Sequence, residues 1–497
     1  MKRNRNAARI TFLGVLFLIP ASIVLADVPT APLANISTSD QVADGAGLTL
    51  DEIIGIALRE HGDVGAAEQN YYGAVEGITS ARSSLYPQIT AGLDYNYRNG
   101  SRTITNNSSG SINSSGFTSD LSITQNIFDG GRIQATVQQA KASAQNAIGA
   151  VGTARNNLAY TVATSFYEQL RQEKLVAQRK GEVNLAQQQL TMIQAQVDAG
   201  TVAQSDVQSV QVNLSQAQFD LVTAQNDLQV AQTKLRQSMG LGRGAALNLQ
   251  EPELAQAVVP TTLPNTNEST FTLPPLPPLP EVTPLKSLDE YLAQATQLRP
   301  DLLQANANVD QSEAQVSLAK IAGRPQISVS AGYNIEPLET QNRGLTFGAG
   351  VSIPIFDGGG RKADERAAEN NLKASQIRRD QLQRDVAADV QTSYVDVSGE
   401  VQRIKNARAL VESARINFQT ASEKYQLGLG IVLDVVNAQT QLFSAQTSLT
   451  QALYDYQLAL ADLDRAVGRF AWANPGVAPP EQAPRTLPEA IKVEQKQ

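Results

Sequence analysis

Hydrophobic and polar positions follow two periods along this chain, and the places where one gives way to the other mark its organisation. In residues 345–356, Leu345, Phe347, Ala349, Val351, Ile353 and Ile355 alternate with Thr346, Gly348, Gly350, Ser352 and Pro354. Period two, with one apolar and one small polar face, predicts a β-strand. After Asp357, Gly358 and Gly359 the period becomes helical and stays so to Gln426. At about 1.5 Å per residue such a helix spans on the order of 100 Å. The same transition occurs earlier. A strand is expected over 117–128, with Leu121, Ile123 and Ile127 on its apolar face. Asp129, Gly130 and Gly131 follow, and then a helical run from 132 to 199 almost free of Gly and Pro. Two further alternating stretches, 88–98 and 326–336, predict partner strands. The Ser/Asn/Gly-rich stretch from Arg98 to Gly116 reads as a loop.

Each long helix meets one plausible break, at Gly200-Thr201 and at Leu427-Gly428-Leu429, so two helical hairpins are expected over 132–240 and 360–468. Their returning helices carry heptad seams. One is Val207, Val210, Leu214, Ala217, Leu221, Ala224, Leu228, Ala231 and Leu235; the other is Val435, Ala438, Leu442, Ala445, Leu449, Ala452, Tyr456, Ala459 and Leu463. Alternation of large and small residues along a seam allows close helix approach. Thr49…Glu52 and Ser287…Glu290 are capping boxes that open shorter helices before each strand pair.

The pattern is that of one unit written twice. Tyr86-Pro87-Gln88-Ile89 matches Arg324-Pro325-Gln326-Ile327 at an offset of 238, and beyond the strands Gly200 and Asp206 match Gly428 and Asp434 at 228. The expected units are 48–241 and 286–469. A Pro-rich connector over 242–285 joins them, and a Pro-rich, charged tail over 470–497 reads as disordered. An SH3-type ligand is the other reading of the connector.

Composition narrows the function. The 497 residues carry 5% aromatics, little material for a large globular core, and a formal net charge of -8, which argues against a nucleic-acid partner. Cysteine is absent, so disulfides, thiolate metal sites and an N-terminal lipidated Cys are excluded. Lys2, Arg3, Arg5 and Arg9 precede an apolar run from Ile10 to Leu25 that ends in Val24-Leu25-Ala26. This is the form of a secretory signal over 1–26, with a flexible lead over 27–47 after it; an uncleaved membrane anchor is the alternative. No later run is long and apolar enough for a spanning helix, which leaves strands as the route into an outer membrane. His61 stands in a helix break and reads as an exposed turn residue. No metal spacing, phosphate loop or nucleophile elbow is present, so no cofactor, no metal and no enzymatic activity are expected. Gly358-Gly359-Gly360 precedes a helix, but the neighbouring Asp357 would repel phosphate, and a flexible sheet-to-helix corner is the better reading.

Four strands cannot close in lipid, because open edges are excluded and known barrels start at about eight strands. The sheet must be shared among copies of the chain: two would give eight strands, three would give twelve. The long hairpins make the same demand, since each lacks a core of its own. A secreted trimeric coiled-coil protein, such as an adhesin stalk, is the alternative from another class. It leaves the one-sided strands and the duplication unaccounted for.

The duplicated strand–glycine–helix junction, the two long hairpins and the turn from Tyr425 through Gly428 to Val435 resemble the TolC-like outer-membrane efflux proteins over about residues 48–470. The resemblance implies a mixed α and β membrane protein. It would be a homotrimer, with a twelve-stranded barrel in the outer membrane of a Gram-negative-type bacterium continuous with a long periplasmic α-helical barrel. It implies a passive exit duct served by an inner-membrane pump and a periplasmic adaptor, the adaptor meeting tips at Gly200, Thr201, Leu427, Gly428 and Leu429. In that comparison Tyr425 matches a gate tyrosine, Asp206 its carboxylate partner on the other hairpin, and Asp434 a lumen-facing acid. Gly430 and Asn437 depart from the pattern where some members carry a gate arginine and a second acid.

Overall fold

A computed structural model describes residues 47–104, 108–244, 247–252, 285–335 and 343–472. The expected signal segment, nearly all of the N-terminal lead, most of the Pro-rich connector and the tail beyond Trp472 lie outside the described residues.

The chain runs α1 (Leu50–Glu60), α2 (Gly62–Ser83), β1 (Gln88–Ile104), β2 (Ser108–Phe128), α3 (Arg132–Asp198) and α4 (Gln204–Ser238). It continues with α5 (Leu288–Leu298), α6 (Pro300–Ile321), β3 (Gln326–Ile335), β4 (Arg343–Ser352), α7 (Gly360–Gln426) and α8 (Val432–Val467), and a short 3-10 turn follows at Arg469–Trp472. The first expected capping box forms in full, whereas at Ser287 only the Ser half is made. Thr49 accepts from the Glu52 amide while the Glu52 carboxylate returns to the Thr49 amide at 2.9 Å, and Ser287 caps Glu290. His61 is not a loose turn residue. It is half-buried and its Nδ1 accepts from the Asp63 amide, capping α2. Pro300 opens α6, where its missing N–H costs nothing.

The four strands form one antiparallel sheet in the order β1-β2-β3-β4. The β1–β2 ladder runs from Gln88 opposite Thr124 to Ile104 opposite Ser108, and β3–β4 from Gln326 opposite Ser352 to Ile335 opposite Arg343. Across the centre β2 pairs with β3, Ser119 opposite Ile335 through Asn126 opposite Ser328, with a bulge before Phe128 opposite Ile327. Two expectations need correction. Residues expected in the 98–116 loop continue the ladder, because a strand is held by main-chain pairing and Ser, Asn and Gly do not prevent it. Conversely, β4 ends at Ser352 and not at Phe356, because β3 starts opposite Ser352 and, among the described residues, no strand lies beside 353–356.

Side-chain period two puts Ile89, Leu93, Tyr95, Leu121, Ile123, Val329, Tyr333, Leu345, Phe347 and Val351 on one face of the sheet, and every one is exposed. The opposite face is small and polar: Thr90 and Ser122 hydroxyls lie 2.6 Å apart, and Gly332, Gly348 and Gly350 alternate with serines.

The helices bury the expected seams. Val207, Val210, Leu214, Ala217, Ala224, Ala231 and Leu235 are buried along α4, and all of the α8 seam is buried except the half-buried Ala459. One apolar cluster gathers α7 and α8 with α5; a second joins α1, α3, the end of α4 and Tyr454. Between α3 and α8 the contact is partly polar: Gln178 Nε2 donates to Thr450 Oγ1 at 2.6 Å. Arg155 meets Glu68 at 2.5 Å to fix α2 on α3. Arg299 binds Asp301, Asp389 and the Ala466 carbonyl where α5 passes into α6. Among the described residues no helix is long and apolar enough to cross a membrane.

Candidate functional site at the hairpin tips and corners

Both hairpins reverse by the same main-chain device. Gly200 (φ 74°) donates to Val197 O at 2.8 Å and Thr201 to Gln196 O at 3.0 Å; Gly428 (φ 71°) donates to Tyr425 O at 3.0 Å and Leu429 to Lys424 O at 2.8 Å. These pairs of bonds are Schellman motifs, which satisfy the last carbonyls of a helix and require a left-handed residue that glycine adopts without penalty. The chain then re-enters helix after Ala203 and Ile431. Asp206 and Asp434 each fall in the first turn, their amides bonded to the carbonyls of Ala203 and Ile431. A carboxylate there is favoured by the helix dipole. Asp434 is exposed and Asp206 half-buried. Leu427, Leu429, Ile431 and Leu433 project into solvent, Leu429 at 76% exposure.

The structure draws the two tips together. Ile193, Val207, Val210 and Val432 form a buried cluster with contributions from both hairpins, and Tyr425 packs against it. The Tyr425 hydroxyl donates to Gln196 Oε1 at 2.7 Å, a bond from the second hairpin to the first. Burial raises the Tyr425 pKa, and the nearby Asp206 charge adds to the rise. The phenol is thus donated to the Gln196 amide oxygen and not to Asp206, whose carboxylate acts on it through space. Gln196 is the residue that sequence reasoning missed. Its signal was positional: Tyr425 lies three residues before Gly428, and Gln196 lies four before Gly200, at matching height, with a side chain able to accept.

The strand-to-helix corners are also built alike. Gly130 and Gly131 (φ 69° and 98°) and Gly358 and Gly359 (φ 65° and 94°) take left-handed conformations in pairs. In each case the preceding aspartate ties the turn. Asp129 accepts from the Gly131 amide at 2.9 Å and the Ile133 amide at 2.6 Å; Asp357 accepts from Gly359 at 3.1 Å and Arg361 at 2.9 Å. The Arg361 amide and guanidinium, with the Gly359 amide, hold the Asp357 carboxyl down to about 2. The corners expected to be flexible are thus capped turns, each carboxylate replacing helix-terminal partners. Arg324 lies over the first corner and donates to Gly130 O at 2.8 Å.

Apolar sheet face, free sheet edges and long paired hairpins together describe a membrane-inserting channel protein. The outer membrane efflux protein family model matches residues 53–241 and 291–469, and the chain belongs to that family. It is similar to the outer membrane protein TolC of Escherichia coli (strain K12), 26% identical over 411 residues, covering 80% of this chain and 77% of that protein. The outer membrane efflux protein BepC of Brucella suis is 22% identical over 84% of each chain. Among solved structures, VceC of Vibrio cholerae superposes with a TM-score of 0.66 at 16% identity over 84% of this chain and 96% of that one. The open state of the Neisseria gonorrhoeae MtrE outer membrane channel superposes with 0.64 at 16% identity over 84% and 88%. The chain is an efflux protein of the outer membrane of Gram-negative bacteria.

Proposed function

We propose that the chain forms the passive exit duct of a multicomponent export system and works as a homotrimer. Three four-stranded sheets close into a twelve-stranded barrel in outer-membrane lipid, and the hairpins continue it as an α-helical barrel in the periplasm. A periplasmic adaptor meets the tips around Gly200, Thr201, Leu427, Gly428 and Leu429, and an inner-membrane pump supplies the energy. In the resting duct Tyr425, with Gln196 and Asp206, holds the tips together, and Asp434 offers a ring of carboxylates to passing cations.

The observation that best supports this reading is the sheet: one continuous apolar face exposed on a chain with long hairpins and with both β1 and β4 left as edges. In lipid such edges must be closed, and only further copies can close them. Segments 48–241 and 286–469 read as two copies of one unit. The equal hairpin registers, Gln88 opposite Thr124 and Gln326 opposite Ser352, support that duplication.

The test is membrane fractionation, followed by amine cross-linking in mild detergent and planar-bilayer recording. The duct reading expects outer-membrane recovery, a ladder stopping at three, and channels. Recovery in the soluble secreted fraction would favour the coiled-coil alternative.

A further inference from the structure

Along the seam between the two hairpins, one layer is polar, buried and incompletely bonded. Gln189 on α3, Ser422 on α7 and Gln439 on α8 are 4%, 5% and 1% exposed. Among the described residues, Gln189 Oε1, Ser422 Oγ and both amide atoms of Gln439 have no hydrogen-bond partner. Register sets Gln189 and Gln439 at one height. The bonds of Asn156 to Arg465, Arg171 to Asp455 and Gln178 to Thr450 show that α3 and α8 run antiparallel. About three turns from the Gln178–Thr450 bond toward the tip, α3 reaches Gln189 and α8 reaches Gln439. Ser422 stands on α7 between Phe418 and Tyr425.

Apolar contacts flank this layer on both sides. Toward the tip, Ile193 with Val207 and Val210 meets Val432 of the second hairpin. Away from the tip, Leu185 joins the larger cluster of α7 and α8 that holds Phe418, Leu442 and Phe443. Tyr425 packs against both clusters and bonds Gln196. We propose that the polar layer is the boundary of the gate: the tips part as far as Gln189, Ser422 and Gln439, and the seam beyond them stays shut. This deepens, and rests on, the closing role of Tyr425 proposed above.

The physical reason is a difference in what parting returns. A buried amide without a partner is costly, so the closed seam carries a local destabilisation at this layer. Parting the seam on the tip side exposes one small apolar cluster. It also gives water to Gln189, Ser422 and Gln439, whose missing hydrogen bonds are then made. The two effects oppose each other, and a single bond such as that of Tyr425 to Gln196 decides between closed and open. Parting beyond the layer has no such return. It uncovers Leu185 from the larger cluster and breaks the 2.6 Å bond of Gln178 to Thr450. The moving segment of α3 is therefore the run from Gln189 to Gly200, about three turns.

The chain has no cysteine, so single thiols report burial without background. Ile193 and Leu185 are both buried on α3, on either side of the layer. With Y425F/Q196L added, a maleimide should label I193C roughly ten-fold faster than without it, and L185C at the same slow rate in both. Acceleration of both thiols, or of neither while bilayer conductance rises, would overturn the boundary. Q439M tests the layer without thiols and without touching the tyrosine. It replaces the unbonded amide by a flexible apolar chain of similar size. Openings should become roughly ten-fold rarer and the thermal unfolding temperature should rise. Unchanged or more frequent openings, or a lowered unfolding temperature, would mean that the closed seam satisfies Gln439, and would overturn the proposal. If Y425F/Q196L conducts like the parent, Tyr425 loses its closing role, and Q439M still decides the layer.

Discussion

The Tyr425–Gln196 bond joins two hairpins through one neutral hydrogen bond, worth about 0.5–1.5 kcal/mol net. Tyr425→Phe and Gln196→Leu should each raise single-channel conductance in planar bilayers, and the double variant should add little to either. Asp206→Asn should do less, because its carboxylate does not receive the phenol. A conductance rise confined to Asp206→Asn would move the closing contact to the carboxylate. The Tyr425 pKa is raised by burial and by Asp206, so the neutral phenol is the favoured form in the folded tip. Its contribution is complete below the ordinary tyrosine value of about 10 and is lost only as pH rises through the raised value. Closure should therefore be flat between pH 6 and 9 in recordings, to within what Tyr425 controls. The partner of Tyr425 was hard to read because glutamine is abundant along these helices and carries no mark of its own. Only its height relative to the glycine of the other tip distinguishes Gln196.

At the level of elements, corners and tips are turns whose backbone geometry the sequence states openly. Asp-Gly-Gly after an alternating strand, and a lone glycine inside an otherwise unbroken helix, both mark left-handed positions. What stayed hidden was the role of Asp129 and Asp357 as caps, since an acid before glycines reads equally well as a solvated turn residue. Asp129→Ala should lower stability by about 1 kcal/mol, and Asp129→Asn by much less, because an amide oxygen still accepts from Gly131 and Ile133. Thermal unfolding of the two variants would check it; equal losses would mean that charge and not the hydrogen bonds holds the corner. At the tip, Gly428→Val forces a β-branched residue into φ 71°, at a cost of about 1–2 kcal/mol. Export should be abolished while the assembly stays in the membrane, and unchanged export would remove the tip from the adaptor contact. The strand ends were the least legible part. Pairing decides them, and pairing depends on neighbours: a polar stretch became strand at Ile104 and Ser108 because a partner lay beside it, while apolar Ile353 and Ile355 did not.

For the whole molecule, the sequence stated the need for company better than it stated its geometry. One apolar face, four strands and helices that run near 100 Å at about 1.5 Å per residue are the features on which the proposed sharing of the sheet among copies rests. Charge belongs to this scale too. A single Asp434 in water has little consequence, but in the proposed trimer three copies of it would add up to a local field that favours cations. Asp434→Asn should weaken cation selectivity and block by polyvalent cations, as reversal potentials in asymmetric salt would measure, with closure itself unchanged. Unaltered selectivity would place Asp434 away from the conducting path.

The tip turns are held by main-chain bonds to Gly200, Thr201, Gly428 and Leu429. No bond of the second tip's turn passes through the side chains of Leu427 or Leu429, which stand free at its end. Foldability and partnership are thereby written in different atoms. Substitutions at these two leucines leave the main-chain bonds of the hairpin intact and, under the proposed adaptor contact, would change only the surface that an adaptor meets. Under that proposal, ducts with nearly identical tip backbones would be told apart by the side chains on a loop.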